Sequence, residues 1–185
     1  MDIATFIREV GKLKDVKRTG WVERGVKGPE SVADHSFIAA LMCMVLPAEG
    51  VDMEKVLKMV LVHDLPEAVV GDLITRENWP DGGTIAQAEK SELEEKALKR
   101  IVSDLDAAVA KEITSLWKEF EEQKTKEAVF ARDFDIAECI IQAHVYHSKG
   151  NSKKPLKGFW DERNTNRIQN ENIKKLVMDV IKNGK

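Results

Sequence analysis

Apolar residues recur at spacings of three and four along most of this 185-residue chain. This spacing places them on one face of an α-helix, whereas a half-buried strand would alternate apolar and polar residues. No convincing strand pattern, repeat or low-complexity tract is found. The segments with helical spacing are 3–13, 31–46, 52–64, a stretch that begins at Thr84, 106–120, 125–147 and 170–182. The sequence therefore predicts an all-α protein built as a single helical bundle.

Several residues mark where these helices should begin, bend or end. Ser31 is expected to cap the second helix, with Asp34 in a capping-box position three residues later. Thr84 is expected to cap the fourth. Pro66 lacks a backbone N–H and should kink the third helix beside His63. Segments rich in glycine, proline or basic residues are expected to be loops: 14–30, 71–83 and 149–157.

Composition excludes some classes of protein. A net charge of −3 and a pI near 5.9 argue against a dedicated nucleic-acid-binding protein. No run of about 18 apolar residues is present, so no transmembrane helix is expected. The N-terminal segment mixes acidic and basic residues and lacks the pattern of a signal peptide, which predicts a cytoplasmic protein without membrane contacts. Cys43 and Cys139 are expected to be buried, reduced thiols.

Two histidines and two acids stand out within the apolar segments: His35, the adjacent pair His63 and Asp64, and Asp135. If they converge, two imidazoles and two carboxylates would bind one divalent metal ion of borderline softness. Four ligands fill a tetrahedral site but leave positions open in a five- or six-coordinate one. We therefore favour Mn or Co, with Zn, Fe, Ni and Mg as alternatives. Spare carboxylates beside such a site suggest hydrolysis, most plausibly of a phosphate ester.

An alternative explanation of the two aspartates is a buried ion pair. Asp64 and Asp135 are predicted to lie in apolar helices, where an unpaired carboxylate is costly. A shared cation would stabilise both, but so would pairing with Arg18 or Arg132. Asp133 competes with Asp135 as a ligand. Residues two apart on a helix do not share a face, so only one of the two can point at the metal.

The pattern formed by His35, His63-Asp64 and Asp135 resembles the H…HD…D signature of the HD-domain metal-dependent phosphohydrolases. The segments RTGWVERGVKGPESVADHS, HDLPEAVVGDL, FARDFDIAECIIQA and GFWDE are similar to those of the small HD-domain 5′-deoxynucleotidases, and the likeness runs from about Phe6 to Ile181.

The resemblance implies one HD domain over 1–185, with a metal-site core at about 31–149 and a C-terminal helix at about 170–182 packed on it. It also implies removal of the 5′-phosphate from deoxyribonucleoside monophosphates, and a homodimer. Its nearest rivals are a dNTP triphosphohydrolase, a guanosine tetraphosphate hydrolase, a cyclic-nucleotide phosphodiesterase, and a non-catalytic sensor that binds metal and nucleotide.

The same resemblance assigns residue roles. His35, His63, Asp64 and Asp135 become the metal ligands, with the FDIAEC segment favouring Asp135 over its neighbour. Glu138 and Gln142 share a helix face with Asp135 and could orient ligands.

Two further acids would take part in the chemistry, and the sequence leaves open which of them is the base and which the acid. Glu67 would orient or deprotonate the attacking water. Asp72 would protonate the leaving 5′ oxygen or contact the sugar. The structural alternatives are a solvent-facing salt bridge for Glu67 and a turn residue for Asp72.

Substrate contacts are expected in the loop before the His35 helix. Arg18 is the first candidate to bind phosphate. The bacterial branch of the family has an arginine directly before its tryptophan, where this chain has Gly20. Trp21 keeps the family's spacing to His35. It could crowd a 2′-hydroxyl and so select deoxyribose, or it could be a packing residue.

The remaining candidates are weaker. Thr75 is a further candidate for a substrate contact, through its hydroxyl group. Arg76 and the lysines at 153–154 are alternative cations for phosphate. Trp79 and Trp160 are expected to be packing residues.

Overall fold

The computed structural model describes residues 3–78 and 82–183. Its helices are α1 (Ile3–Gly11), α2 (Thr19–Val22), α3 (Val32–Val45), α4 (Met53–Val62), α5 (Glu67–Val70), α6 (Gln87–Val102), α7 (Ala107–Glu122), α8 (Lys126–Ser148), α9 (Lys153–Leu156), α10 (Glu162–Thr165) and α11 (Glu171–Asn183). Two 3₁₀ turns lie at Lys12–Lys14 and Lys157–Trp160. The described residues form no strand beyond two isolated bridges, which confirms the all-α prediction. Trp79 lies outside the described residues.

Helix α8 is the centre of the fold, because α3, α4, α7 and α11 all pack against it. Its residues Phe134, Ala137 and Ile140 are at most 1% exposed. A 23-residue helix that is apolar on most sides is stable only when neighbours surround it. Asp133 and Glu138 on α8 therefore lie inside the protein, where a charged side chain must be paired.

Two smaller apolar clusters flank this core. One joins α5, α6 and α7 around Leu65, Leu98 and Trp117. The other joins the segment after Arg18 to the end of α8 through Trp21 and Tyr146. Together they bring the loops that follow α1 and α5 against the middle of α8.

The predicted capping box is confirmed at the start of α3, and side chains also cap three further helices. Ser31 and Asp34 form the complete capping box of α3. The side chains of Asp52, Asp106 and Thr125 accept backbone N–H hydrogen bonds at the starts of α4, α7 and α8. These bonds satisfy N–H groups that a helix cannot satisfy internally.

The third predicted helix is broken rather than kinked. Helix α4 ends at Val62, and α5 begins at Glu67 after Pro66. In the break, the Glu67 N–H donates to Asp64 O and the Ala68 N–H to Leu65 O, three residues back instead of four. The His-Asp pair thus lies on a tight turn between two helices.

The prediction that Thr84 caps the fourth helix is wrong, because α6 begins at Gln87. Thr84 instead donates its N–H to Ile74 O, and the Arg76 guanidinium donates to Thr84 O. Gly83 approaches the Thr75 backbone so closely that a Cβ would collide with it. Tertiary pairing across the loop has replaced the local cap.

Two other details differ from the sequence prediction. The segment 149–157 is not wholly a loop, because Leu156 is completely buried and anchors α9. The helical spacing also predicts more buried side chains than the structure has, because Ile3, Ile7 and Val109 lie on the predicted apolar faces but are exposed. The Trp160 indole packs as predicted against the core and donates to Ile140 O. No described helix has the length and apolarity needed to span a membrane.

Candidate metal centre and cavity

Two buried histidines point their Nε2 atoms at the same place. His35 is on α3, and its Nδ1 lies 2.6 Å from Glu138 Oε2 on α8. His63 follows α4, and its Nδ1 lies 2.7 Å from Val60 O. These bonds fix each ring and leave Nε2 as the remaining atom. Neither Nε2 has a hydrogen-bond partner among the described residues.

Two carboxylates surround these nitrogen atoms. His63 Nε2 lies 3.1 Å from Asp64 Oδ2, and His35 Nε2 lies 3.3 Å from Asp135 Oδ1. The crossed distances, His35 to Asp64 and His63 to Asp135, are 3.9 and 4.0 Å. The four predicted ligands therefore converge from α3, the α4–α5 turn and α8. Buried nitrogen atoms without partners beside carboxylate oxygens are the donor set that a borderline divalent ion prefers.

Electrostatics agree with a cation at this place. Burial and Arg18 act to lower the pKa of His35, but the carboxylates of Asp135 and Glu138 outweigh them and raise it to about 10. Burial acts to raise the pKa of Asp135, yet His35, Arg132 and His63 hold it well below its usual value. Without another cation, the cluster stabilises positive charge on an imidazole. A bound metal ion can supply that charge instead.

The ion pairs proposed as an alternative to a metal are also present. Arg18 Nη1 lies 3.3 Å from Asp64 Oδ2, and Arg132 Nη1 lies 3.2 Å from Asp135 Oδ2. Asp135 uses Oδ2 for Arg132 and Oδ1 for His35. The arginines and the imidazoles thus surround the same carboxylates, and the two explanations do not exclude each other.

The two neighbouring aspartates of α8 have separate surroundings. Asp133 accepts the N–H of Gln169 at 2.9 Å and that of Asn170 at 2.7 Å, just before α11. It therefore ties the C-terminal helix to α8, while Asp135 faces the histidines. Gln142, expected beside the ligands, interacts instead with Tyr146.

Glu67 lies inside the cavity wall, 1% exposed, and not in a solvent-facing salt bridge. Its Oε1 lies 3.8 Å from Lys90 Nζ, and its Oε2 has no partner among the described residues. Lys90 also pairs with Glu94 at 3.4 Å. Burial, Asp64 and Asp72 together raise the pKa of Glu67 well above its usual value.

Asp72 also lines the cavity and joins two loops. Its Oδ2 accepts the Thr19 N–H at 2.7 Å, and its backbone O accepts the Thr19 hydroxyl at 2.6 Å. The segment after α5 is thereby held against the start of α2, next to Arg18.

Trp21 and Thr75 differ in their relation to the cavity. Trp21 is 2% exposed and donates to Glu30 Oε1 at 2.8 Å, yet its ring contributes to the cavity wall. Thr75 is fully buried, does not line the cavity, and accepts the Asn78 N–H with its hydroxyl oxygen. The expected substrate contact of Thr75 is wrong, because its side chain stabilises the loop. Asn78 lines the cavity instead.

The cavity has a volume of about 230 Å³. Besides the residues above, its wall contains several to which the sequence assigned no role in a site: Arg24, Lys90, Cys139, Phe159, Arg163, Asn164 and Arg167. Cys139 accepts from Arg18 Nη2 at 3.1 Å. Of these wall residues, Phe159 lies in the GFWDE segment that resembles the family, whereas residues 163–167 carry no recognisable local pattern. Their place in the wall follows only from how the chain after α8 folds back.

Comparison with known proteins supports the resemblance seen in the sequence. The chain is 40% identical over 156 residues to 5′-deoxynucleotidase HDDC2 of Mus musculus, covering 84% of this chain and 75% of the relative. It is 41% identical over 167 residues to 5′-deoxynucleotidase HDDC2 of Dictyostelium discoideum, covering 84% and 85%. It is 33% identical to 5′-deoxynucleotidase hdd1 of Schizosaccharomyces pombe, covering 98% and 89%.

Solved structures have the same fold. A conserved hypothetical protein from Pyrococcus furiosus superposes with a TM-score of 0.75 at 30% identity, covering 96% of this chain and 98% of that one. A predicted metal-dependent phosphohydrolase from Magnetospirillum magnetotacticum superposes with a TM-score of 0.71 at 23% identity, covering 98% and 93%. The family profile described as HD domain matches residues 10–176. With its ligand cluster and this match over most of its length, the chain belongs to the HD domain family.

Proposed function

We propose that this protein is a metal-dependent 5′-deoxynucleotidase, which hydrolyses deoxyribonucleoside monophosphates to deoxynucleosides and inorganic phosphate. Relatives with that name match 84 to 98% of the chain. The observation that carries the proposal is the pair of buried Nε2 atoms, on His35 and His63, which converge with two carboxylates and have no hydrogen-bond partner.

An HD domain implies a divalent metal ion. The proposed ligands are His35 Nε2, His63 Nε2 and one oxygen each of Asp64 and Asp135. Mn or Co suits them best, because four ligands leave positions open only at higher coordination number. When bound, the ion supplies positive charge that polarises a phosphate ester and acidifies water.

Both acids can take part in the reaction. Glu67 has an oxygen without a partner inside the cavity, so it can orient the attacking water. Asp72 is held at the cavity wall by Thr19, where it can protonate the 5′ oxygen or bind the sugar. Their surroundings differ, as two carboxyl groups with opposite roles require.

Three cations that line the cavity beside the proposed ligands and Glu67 can bind the phosphoryl oxygens: Arg18, Lys90 and Arg132. Each already contacts a carboxylate, and this fixes its position before substrate binds. Preorganised charge is the largest contribution to phosphoryl transfer in most enzymes. Trp21, held rigidly by Glu30, is the proposed barrier to a 2′-hydroxyl.

We further propose that residues 1–185 act as one domain and assemble as a homodimer. An exposed apolar stripe on α3 supports a self-association surface: Phe37, Ile38, Leu41, Met44 and Val45. Exposed stripes of this kind are uncommon on monomers. A cytoplasmic location and the absence of nucleic-acid partners stay predictions of the sequence.

The test is phosphate release from 5′-dNMPs, 5′-NMPs, 3′-dNMPs and dNTPs, with metal-stripped protein resupplied with Mn, Co, Mg or Zn. Metal-dependent release confined to 5′-dNMPs, and lost in Asp64→Ala and Glu67→Ala, is the expected result. Turnover of ribonucleotides as well would keep the chemistry and remove the role of Trp21. Release only from triphosphates, or binding without turnover, would replace the proposal with a different HD phosphohydrolase or a sensor.

A further inference from the structure

Helix α6 places a lysine, Lys90, against the acid proposed to orient the attacking water, Glu67. Lys90 lines the cavity, and its Nζ lies 3.8 Å from Glu67 Oε1. One turn further along the helix, Glu94 Oε1 lies 3.4 Å from the same Nζ. The ammonium group therefore contacts two carboxylates, of which Glu67 lines the cavity and Glu94 does not.

Glu94 is a costly residue to bury. It is 5% exposed, and Lys90 is the one cation within 4 Å of its carboxylate in the part of the chain that the structure describes. Burial, together with the charges of Glu121 on α7 and Asp64 on the α4–α5 turn, raises its pKa to about 7, and Lys90 opposes this rise. A carboxylate removed from water destabilises a fold unless its interactions compensate. Stability alone therefore does not explain this acid.

The order of the two charges along α6 is also the reverse of an exposed pair on the same helix. Glu92 pairs with Lys96 at 2.6 Å, with the acid four residues before the base. That order agrees with the helix dipole and stabilises a helix more than the reverse order. In the buried pair the base, Lys90, comes first and the acid, Glu94, second. Helix stability does not favour this arrangement.

We propose that Lys90 and Glu94 are positioning residues for Glu67. Glu94 holds the Lys90 ammonium, and Lys90 holds Glu67 Oε1. Glu67 Oε2, which has no described partner, is thereby left for the attacking water. This inference rests on the proposed function. It adds that the group which orients the water is fixed from α6, a helix that contributes no proposed metal ligand.

The two roles open to Lys90 differ in their kinetic effects. A lysine that binds the substrate phosphate strengthens binding, so its loss raises KM and weakens inhibition by inorganic phosphate. A lysine that fixes Glu67 acts on the position of the water after substrate has bound, so its loss lowers kcat and leaves KM unchanged. Glu94 does not line the cavity and acts through Lys90, so its removal should add nothing once Lys90 is gone.

The experiment measures kcat and KM for a 5′-dNMP in metal-saturated protein between pH 6 and 8.5. The variants are Glu94→Gln, Lys90→Gln and the two combined. The matched control is Glu92→Gln, which breaks the exposed pair on the same helix. At pH 8.5, Glu94→Gln should lower kcat about tenfold, the size of effect expected from a partial misplacement of an orienting group. The effect should fade towards pH 6, because the wild-type Glu94, with a pKa of about 7, is itself protonated there.

Lys90→Gln should lower kcat across the whole pH range. Adding Glu94→Gln to it should change kcat by less than about twofold, as for residues that act as one unit. KM and the inhibition constant of inorganic phosphate should stay at the wild-type values in every variant. Glu92→Gln should match the wild type throughout.

A readout without turnover is the rate at which lysines react with an acetylating reagent, followed by peptide mass spectrometry of metal-free protein at pH 8.5. Burial acts to lower the pKa of Lys90, but the charges of Glu67 and Glu94 raise it above its usual value. Lys90 should therefore react about tenfold faster in Glu94→Gln, as a tenfold larger neutral fraction would give. Its rate should not change in Glu92→Gln.

Several outcomes overturn the inference and leave the proposed function intact. They are a kcat that Glu94→Gln keeps at pH 8.5, additive effects of the two substitutions, and equal acetylation of Lys90 in wild type and Glu94→Gln. A raised KM with weaker phosphate inhibition in Lys90→Gln also overturns it, because Lys90 would then bind phosphate rather than fix Glu67. If the wild type turns over no substrate, the proposed function fails and the inference falls with it.

Discussion

The metal end of the cavity is the wall around His35, His63, Asp64 and Asp135. This end and the start of α11 use buried acids of the same helix in opposite ways. Just before α11, both carboxylate oxygens of Asp133 accept backbone N–H groups, so neither oxygen lacks a partner. At the metal end, Asp135 lies beside two imidazole nitrogens without partners, and Glu67 keeps an unpartnered oxygen. A satisfied carboxylate stabilises the fold, whereas unpartnered polar atoms cost stability unless a ligand uses them. The contrast separates an acid whose oxygens are satisfied by the fold from the acids proposed to act in the reaction.

The largest expected effect follows from removing a charge at the metal end. Asp64→Asn should lower phosphatase activity at least about 10³-fold, because ligand charge and donor geometry are both lost. Bound metal, measured by elemental analysis after reconstitution, should fall in parallel. Full metal content and activity in this variant would remove Asp64 from the ligand set.

A smaller effect is expected at Glu138, which contacts the His35 ring and not the proposed metal position. Glu138→Gln should weaken metal binding about 10- to 100-fold, because it removes the carboxylate that orients His35 through Nδ1. Metal affinity by competition with a chelator is the measurement. Glu127→Gln, a buried acid on the same helix that accepts from the Asp52 N–H, is the matched control and should leave affinity unchanged. Equal affinities in both variants would contradict the role of Glu138.

Asp133→Asn should lower the stability of the fold and leave metal binding unchanged, the opposite of the effect expected at the metal ligands. We expect a loss of about 2–3 kcal/mol in the free energy of unfolding, because two backbone N–H groups lose a charged acceptor and one would face an amide donor. Metal content should remain. Asp135→Asn should lose metal instead, and if both variants lost metal equally the separation of the two acids would be wrong. Urea unfolding and elemental analysis of the pair decide it.

The smallest effect concerns Glu94, a buried acid behind Glu67. Burial outweighs the nearby Lys90 and raises the pKa of Glu94 from 4.5 to about 7. The native state therefore holds a proton that the unfolded chain releases between about pH 4.5 and 7. This stabilisation is present at low pH and is lost as the pH rises through that window.

Glu94→Gln cannot ionise, so it should lack this loss. Between about pH 5 and 7 the wild-type free energy of unfolding should fall by about 2 kcal/mol more than that of the variant. Urea titrations at both pH values measure the difference. Parallel curves for the two proteins would mean that Glu94 stays ionised throughout.

How much of this could be predicted depended on the range of the interactions involved. The capping box at Ser31 and the caps at Asp52, Asp106 and Thr125 were predictable, because each side chain bonds a backbone N–H within three residues. The cap at Thr84 failed since its backbone pairs with Ile74, ten residues away.

The candidate site divides in the same way. That His35, His63, Asp64 and Asp135 need partners was predictable, because a carboxylate or imidazole in an apolar helix is costly without one. Thr75 was not, because a hydroxyl in a loop can equally bind substrate or hold its own backbone. The structure placed it in the second role.

The sequence by itself determined the long helices, the capping box at Ser31 and the residue types of the candidate ligands, since these depend on periodicity, local hydrogen bonds and the cost of burying charge. Only the tertiary structure decided that Asp133 accepts the backbone N–H groups of Gln169 and Asn170 before α11, while Asp135 lies beside the histidines. It also decided that Arg163 and Arg167 join the wall of the same cavity as Asp135. Such convergence depends on the packing of α3 and α8 and on the path of the chain after α8. Distant packing of this kind leaves no periodic trace in the sequence.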